Sequence, residues 1–221
     1  MSSGDRAKAG GAVAKFDGLA RGYSAHDYAD PSGYGSRRAQ VVAELAGPLA
    51  PGASLLDLAC GDGNLAEPLL ALGYRYSGVD GSAAMIAEAR SRLGEAVRLD
   101  VALIDEYEPP EPVDVTVCLR AFYYPVDRRA FFRRVAGYTR TRFVFDFDPR
   151  VYDRAGLETD LRATGFDRIR LRPFFLPQRV AVPAPVGGAL TALEHAGPLA
   201  RAALHLRGIY FCAASPSPAR T

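Results

Sequence analysis

The chain has 221 residues, of which 48% are hydrophobic and 24% are charged. This length and composition predict one globular domain that buries most of its apolar surface, and they exclude a largely disordered chain. The formal net charge of +2 gives no strong electrostatic field, so the composition does not favour nucleic acid or an anionic membrane as a partner.

Apolar runs in the sequence are all shorter than the roughly 20 residues that a membrane-spanning helix needs. Residues 1–16 also lack the apolar segment of a secretory signal. We therefore predict a soluble, cytoplasmic protein. Cys60, Cys118 and Cys212 lie far apart and show no C-x-x-C spacing, which predicts free buried thiols in a reducing compartment and no metal site.

Strand-like and helix-like segments alternate along the first two thirds of the chain. The run SLLDLAC (54–60) is typical of a buried strand, and NLAEPLLALG (64–73) of a helix that ends at Gly73. The later members of the series are a strand over 74–80, a helix over 82–94 and strands over 96–101, 113–119 and 142–148. This alternation predicts a mostly parallel sheet with helices on both faces. Ligands of such sheets bind outside the carboxyl ends of the strands.

The last third of the chain has a different pattern. Residues 167–175 alternate apolar residues with arginines, which predicts an edge strand whose arginine face is exposed to water. The arginines concerned are Arg168, Arg170 and Arg172. Residues 185–208 are Ala/Leu-rich and predict one amphipathic helix, or two that are broken at Gly197-Pro198, and residues 209–215 predict a last strand.

The turn after the first strand contains two glycines, Gly61 and Gly63, immediately before a helix. Such a turn lets a ligand approach the backbone closely and places helix N–H donors beside it. The spacing also fits the dinucleotide fingerprint, with Asp80 as the ribose-binding acid. However, Asp62 between the glycines would repel a pyrophosphate, and a further acid, Asp57, lies within the strand. The pattern therefore favours a ligand without phosphate.

Residues 55–90, LLDLACGDGNLAEPLLALGYRYSGVDGSAAMIAEAR, resemble the cofactor half of a class I S-adenosylmethionine-dependent methyltransferase of the bacterial small-molecule type. The matching features are an acid, a G/A-C-G-x-G turn, an acid at the end of the second strand and a Ser-x-x-Met helix start. The similarity extends from about Tyr23 to Asp148. It is specific in its first half and concerns only the fold in its second half.

The resemblance implies a single α/β domain over residues 1–221. Its fold would be a Rossmann-like, doubly wound, seven-stranded and mostly parallel sheet with an antiparallel closing strand and an N-terminal helical lid. Within the domain we expect the lid at 1–45, the cofactor-binding core at 52–150, and substrate-side and closing elements at 151–215.

The resemblance also assigns cofactor-binding roles. Ala59, which stands where the family most often has glycine, and Gly61 would lie along the methionine and ribose. Asp80 would accept both ribose hydroxyls, since a carboxylate has two acceptor oxygens. The remaining expected contacts are Asp57 on the amine side, Gly81 beside the ribose, Met85, Asp100 and Val101 at the adenine, and Leu119 at the methionine. Met85 is equally typical of an ordinary helix core.

Candidate catalytic residues lie in two segments. Residues 16–45 are rich in aromatic side chains, and we predict that Tyr23 faces the cofactor's sulfonium charge. His26 in that segment is the predicted general base, although a lone histidine is more often a surface residue. After the fourth strand, Tyr123, with Tyr124, is predicted to line the acceptor pocket; loop packing is the alternative. Arg120, and either Arg37 or Arg38, are candidates for binding a carboxylate group of the cofactor or of the substrate.

The favoured function is methyl transfer from S-adenosyl-L-methionine to an O, N or C nucleophile of a small molecule, with S-adenosyl-L-homocysteine as product. Because the chain has only two lysines, we associate it with bacterial natural-product biosynthesis. The alternatives are a cyclase or pericyclase-type enzyme that binds the same cofactor without methyl transfer, a non-catalytic cofactor-binding sensor or partner protein, and, less favoured, a nicotinamide dehydrogenase. We expect a monomer or homodimer that binds no nucleic acid and no membrane.

Overall fold

The computed structural model describes residues 11, 13–204 and 207–217. Within them lies one seven-stranded sheet. Its strands in chain order are β1 (Ser54–Leu58), β2 (Arg75–Asp80), β3 (Arg98–Val101), β4 (Val113–Cys118), β5 (Thr139–Phe147), β6 (Phe166–Phe174) and β7 (Ile209–Pro216). Every predicted strand is present, with ends shifted by up to three residues.

The strand order across the sheet is β3-β2-β1-β4-β5-β7-β6. Neighbouring strands from β3 to β5 pair in parallel, whereas β7 pairs antiparallel with both β5 and β6. This confirms the predicted mostly parallel sheet with an antiparallel closing strand. The strand order reverses between β1 and β4, so the ligand crevice of this fold class is expected at their carboxyl ends.

Helices connect the strands. Those with assigned bounds are α1 (Tyr23–Asp27), α2 (Pro31–Ala46), α3 (Ala66–Ala71), α4 (Ala83–Leu93), α5 (Arg128–Tyr138), α6 (Arg154–Ala163), α7 (Ala184–Glu194) and α8 (Pro198–Leu204). Residues 13–19 are also helical. Ser82, the first residue of the segment predicted as a helix over 82–94, caps α4 by accepting a hydrogen bond from Met85 N–H. In the portion of the chain that the structure covers, no helix has the length and apolarity to cross a membrane.

The core lies on both faces of the sheet. On one face, strand residues such as Leu55 and Val144 pack with Val41 of α2. On the other face, Phe143 and Phe145 of β5 pack with residues of α5 and α6. All five residues of β1 are buried, as expected for a central parallel strand. The three cysteines are free and buried, as predicted.

Two predictions about the last third need correction or refinement. Arg168 and Arg170 of β6 are exposed, but Arg172 is buried and forms ion pairs with Glu44 of α2 and Glu194 of α7. The prediction of a fully wet arginine face was therefore wrong, because two helices distant in sequence cover this end of the strand. The segment predicted over 185–208 forms two helices, α7 and α8, separated near the predicted break.

Candidate active site

A crevice opens at the carboxyl ends of β1, β2 and β4, under residues 13–28 of the N-terminal segment. Eight of the predicted cofactor-binding residues line it. They are Tyr23, Asp57, Ala59, Gly61, Asp80, Gly81, Met85 and Leu119. The crevice therefore brings together residues that three separate strand ends supply.

The turn after β1 contains three residues with left-handed backbone. Ala59, Gly61 and Gly63 have φ values of 60°, 57° and 76°. A side chain at Gly63 would come within 3.1 Å of Leu93 Cδ1, whereas one at Gly61 would meet no atom within 4 Å. Gly61 is thus needed for its backbone angle and for ligand access, and Gly63 also for the close packing of α4. A left-handed alanine costs about 1–2 kcal/mol, so Ala59 is strained.

Asp80, the last residue of β2, joins this turn to the neighbouring strand by hydrogen bonds. Its Oδ2 accepts a hydrogen bond from Gly61 N–H at 2.9 Å, and its Oδ1 accepts one from Ser82 N–H at 2.8 Å. Burial raises the pKa of the carboxyl above its usual value, although both N–H groups oppose the shift. Each oxygen accepts one backbone bond, so each keeps a lone pair that a ligand hydroxyl can use.

Asp57 lies deeper, inside β1. Its Oδ2 accepts a hydrogen bond from the Tyr76 hydroxyl at 2.9 Å. Burial raises the pKa of Asp57 to about 7, against the opposing effects of Tyr76 and of Arg38. This carboxyl is therefore suited to a cationic ligand group, which would favour its ionised form.

Arg38 is the buried cation of the crevice, at 6% exposure. Its guanidinium lies over the rings of Tyr28 and Tyr34, with its carbon 5.6 and 5.2 Å from the ring centroids. Its Nε has no hydrogen-bond partner, and it makes no ion pair with a carboxylate in the described part of the chain. A buried cation without a counter-ion fits an anionic ligand group such as a carboxylate. Arg37, the other candidate, instead pairs with Glu194.

The N-terminal segment is attached to the glycine turn. Asp62, the acid between the two glycines, accepts hydrogen bonds from Ser24 N–H at 3.1 Å and from the Ser24 hydroxyl at 2.7 Å. Phe16 packs edge-on against Tyr23 and Tyr124, with centroid distances of 6.1 and 6.0 Å. Aromatic rings thus cover the crevice on the solvent side, as expected for a segment that excludes water.

The two predicted catalytic residues do not line this crevice. His26 is exposed on α1, and the cavity beside the crevice does not include it either. The histidine was chosen for its position in sequence, but the short helix turns it outwards. Tyr123 is 38% exposed and lines the adjacent cavity. Arg120 lines both this cavity and the crevice. The place of Tyr123 on the acceptor side therefore stays a prediction.

Asp100 and Val101 also lie outside the crevice lining. Asp100 Oδ2 accepts hydrogen bonds from Arg98 Nε at 2.9 Å and from the Tyr107 hydroxyl at 2.7 Å. Val101 is 50% exposed. The third strand is only four residues long, and the lining on this side comes from residues that follow it, Leu103, Ile104 and Asp105.

Sequence reasoning missed other lining residues. Leu103 and Ile104 carry no recognisable motif, and only their place in the fold identifies them, whereas Tyr28 belongs to the aromatic-rich segment 16–45. Arg38 was one of two neighbouring arginines, and burial distinguishes it from Arg37. Among the residues with assigned positions, no group of three or more His, Cys, Asp or Glu side chains is placed to hold a metal ion.

Comparison with known proteins agrees with this geometry. Residues 55–142 match the family model of a methyltransferase domain. The chain is 33% identical over 113 residues to an uncharacterized methyltransferase of Geobacillus kaustophilus, with 51% of this chain and 50% of the relative covered. It is 32% identical over 88 residues to a ubiquinone biosynthesis O-methyltransferase of Rhodopseudomonas palustris, with 38% and 35% covered. The chain thus matches a third to a half of these relatives' length.

Solved structures share the fold. Magnesium protoporphyrin IX methyltransferase from Synechocystis, with S-adenosylmethionine bound, superposes with a TM-score of 0.58 at 19% identity, covering 84% of this chain and 80% of its own. A putative methyltransferase of Haloferax volcanii, in complex with its Trm112 activator, gives 0.62 at 18% identity, covering 92% and 98%. The same Synechocystis enzyme has also been solved with S-adenosylhomocysteine bound. The comparisons thus show that residues 55–142 match a methyltransferase domain and that the chain shares the fold of solved methyltransferases that bind S-adenosylmethionine.

Proposed function

We propose that the chain transfers a methyl group from S-adenosylmethionine to an O, N or C nucleophile of a small molecule. The observation that carries this proposal is the Asp80 carboxylate, which lines the crevice with one open acceptor position on each oxygen. A sugar with two neighbouring hydroxyls matches these two acceptors.

The other lining residues support the same cofactor. Arg38 would bind the carboxylate of the methionine portion, and Asp57 would face its ammonium group. Met85, Leu103 and Ile104 give the apolar surface on which an adenine would pack. We propose no adenine contact for Asp100, since it lies outside the crevice lining and its Oδ2 is bound by Arg98 and Tyr107.

When bound, S-adenosylmethionine supplies a methyl group that its sulfonium already activates. The chain's own residues then have to orient the acceptor and exclude water. We propose that the lid predicted over residues 1–45, of which residues 1–10 and 12 lie outside the described part of the chain, serves this purpose. The attachment of Ser24 to Asp62 and the contacts of Phe16 with Tyr23 and Tyr124 support that role.

We also propose a biological setting for this reaction. The lysine-poor, alanine-rich composition supports a bacterial natural-product pathway, and the aromatic cover supports an apolar or ring-bearing acceptor. Free buried thiols support a cytoplasmic location. Appearance of S-adenosylhomocysteine in proportion to a methylated product would distinguish methyl transfer from cyclisation and from binding without turnover.

Calorimetric titration with S-adenosylmethionine tests the cofactor site. Because two hydrogen bonds to a charged acceptor are lost, we expect Asp80→Ala to weaken binding by about 2–4 kcal/mol. Asp127→Asn is the matched control, since Asp127 only caps α5 and asparagine caps equally well. An unchanged affinity of Asp80→Ala would contradict the proposal.

A further inference from the structure

A second cavity adjoins the crevice across Arg120, which lines both. The ends of β4, β5 and β6 form it, and its volume of about 550 Å³ falls within the roughly 300–1,000 Å³ of small-molecule sites. Its walls are rich in aromatic rings, among them Tyr34, Tyr123, Tyr152 and Phe174. The rings of Tyr123 and Tyr152 lie nearly parallel, 16° apart. Such walls suit a ring-bearing molecule.

A buried carboxylate, Asp146, lies in the wall of this cavity at 4% exposure. It interrupts the apolar run of β5 on the face that carries Val144. Its Oδ1 accepts a hydrogen bond from Arg120 N–H. Its other oxygen, Oδ2, accepts no hydrogen bond from a side chain of the described residues. An acid in such a strand is costly to bury, so its place beside an open cavity indicates a ligand contact.

The backbone of Arg120 supports the same conclusion. Its φ of 59° places a non-glycine residue in the left-handed region, which costs about 1–2 kcal/mol. That conformation accompanies the hydrogen bond from its N–H to Asp146. Strain of this kind is typical of functional sites. The Nη1 of Arg120 is buried and has no hydrogen-bond partner, and its one ion-pair contact among the described residues is a long one, 3.5 Å from Asp27 Oδ2. The residue that joins the two cavities therefore has an unused hydrogen-bond donor beside Asp146.

We propose that this second cavity is the acceptor site, that its acceptor is an aromatic hydroxy compound, and that Asp146 is the general base. The proposal rests on the methyltransferase function proposed above. In the reaction, the acceptor oxygen forms a bond to the methyl carbon while the bond between that carbon and sulfur breaks. The electron pair of the broken bond remains on sulfur. The hydroxyl proton passes to Asp146 and then to solvent, so the reaction releases one proton overall.

The protonation chemistry of the neighbouring groups agrees with this assignment. Burial raises the pKa of Asp146 above its usual value, against the Arg120 N–H and the cations of Arg38 and Arg120. A carboxylate with a raised pKa is a better proton acceptor at neutral pH. Asp148, also in the cavity wall, is unsuited, because its hydrogen bond from Arg150 lowers its pKa. Burial raises the pKa of Tyr123, so it would remain protonated.

Binding of 4-nitrophenol tests the proposal without any need for turnover. The protein is first saturated with S-adenosylhomocysteine and then titrated calorimetrically, at a pH where free 4-nitrophenol is ionised, in two buffers with different ionisation enthalpies. Two anions that share one site retain a proton between them. We therefore expect the wild type to take up roughly one proton per nitrophenol bound, and Asp146→Asn to take up almost none.

Asp127→Asn, which lies outside this cavity and only caps α5, is the control and should keep the uptake of the wild type. Unchanged binding of S-adenosylhomocysteine shows that Asp146→Asn is folded. If that variant does not fold, the proton uptake measured for the wild type alone tests the proposal. Wild-type binding without proton uptake, the same uptake in Asp146→Asn, or no saturable binding of 4-nitrophenol would each overturn the proposal. Failure of S-adenosylhomocysteine to bind at all would instead overturn the underlying methyltransferase function.

Discussion

The turns that follow β1 and β4 are built alike, although only one of them carries a sequence motif. Each begins with a left-handed residue that is not glycine, Ala59 in the first turn and Arg120 in the second. In each, a backbone N–H donates to an acid on the next strand: Gly61 to Asp80, and Arg120 to Asp146. The two turns lie side by side, because β1 and β4 are neighbours in the sheet.

The difference between the turns lies in the side chains. The first turn contains two glycines, and its acid, Asp80, faces the proposed ribose site. A ligand there would therefore contact mainly the backbone of the turn. The second turn presents the side chains of Arg120 and Tyr123 to a cavity with aromatic walls. In the proposed sites, one backbone arrangement would thus present an acid to the cofactor in the first turn and to the acceptor in the second.

After Asp80, the largest effect on cofactor binding is expected at Arg38, whose charge interacts with Asp57 of β1 and Asp146 of β5. Arg38→Met removes the buried cation but keeps much of its bulk. Loss of a charge-assisted hydrogen bond, about 1.5–3 kcal/mol, should weaken S-adenosylmethionine binding roughly ten- to 150-fold in a calorimetric titration. The free energy of unfolding of the unliganded protein should change less than the binding free energy does, because the desolvation cost of the buried guanidinium offsets its attraction to these acids. Equal losses in stability and in affinity would make Arg38 merely structural.

The next effect concerns pH and Asp57. Its folded pKa of about 7 exceeds the roughly 3.9 of an unfolded chain. Its contribution to stability is therefore complete below about pH 4 and is lost as the pH rises through 7. Conversely, affinity for the cationic cofactor should increase over that upper range as the carboxyl ionises. Asp57→Asn should flatten both profiles, measured by denaturant unfolding and by calorimetry. Identical slopes in variant and wild type would refute this.

Glycine substitutions sharpen the comparison of the two turns directly. Ala59→Gly relieves a left-handed strain of about 1–2 kcal/mol and adds a backbone entropy cost of roughly 0.5–1 kcal/mol. We expect a gain of up to about 1 kcal/mol in the free energy of unfolding in urea. Arg120→Gly should gain less, since it also loses side-chain contacts. A clear loss in Ala59→Gly would show that the turn is not strained.

The smallest effect is expected at Asp100, where sequence and structure disagree. Because its carboxylate is bound by Arg98 and Tyr107 outside the crevice, Asp100→Asn should change cofactor affinity by no more than about 0.5 kcal/mol, as for a surface substitution. A loss as large as that of Asp80→Ala would restore its predicted adenine contact.

The sequence allowed the cofactor side to be predicted because its signals are local. Apolar runs mark the strands, the Gly61-x-Gly63 turn requires special backbone angles, and Ser82 caps a helix three residues before Met85 N–H. The acceptor side could not be read in this way. The left-handed backbone at Arg120 has no glycine to reveal it, and Asp146 resembles any other acid until β5 is placed beside β4.

Long-range contacts account for the remaining differences. Arg172 is buried only because Glu44 and Glu194 approach it from helices distant in sequence. The orientation of His26 depends on how a five-residue helix packs, and sequence spacing does not determine that. The predictions for His26 and Arg172 that the structure did not support therefore both depended on how distant elements pack.

The most direct test of the central claim is a crystal structure of the chain with S-adenosylhomocysteine. The account predicts both ribose hydroxyls within hydrogen-bond distance of Asp80 and the amino-acid carboxylate at Arg38, with Asp146 facing the open acceptor side. A ribose bound elsewhere, or a crevice filled by the chain's own side chains with the ligand absent, would contradict it.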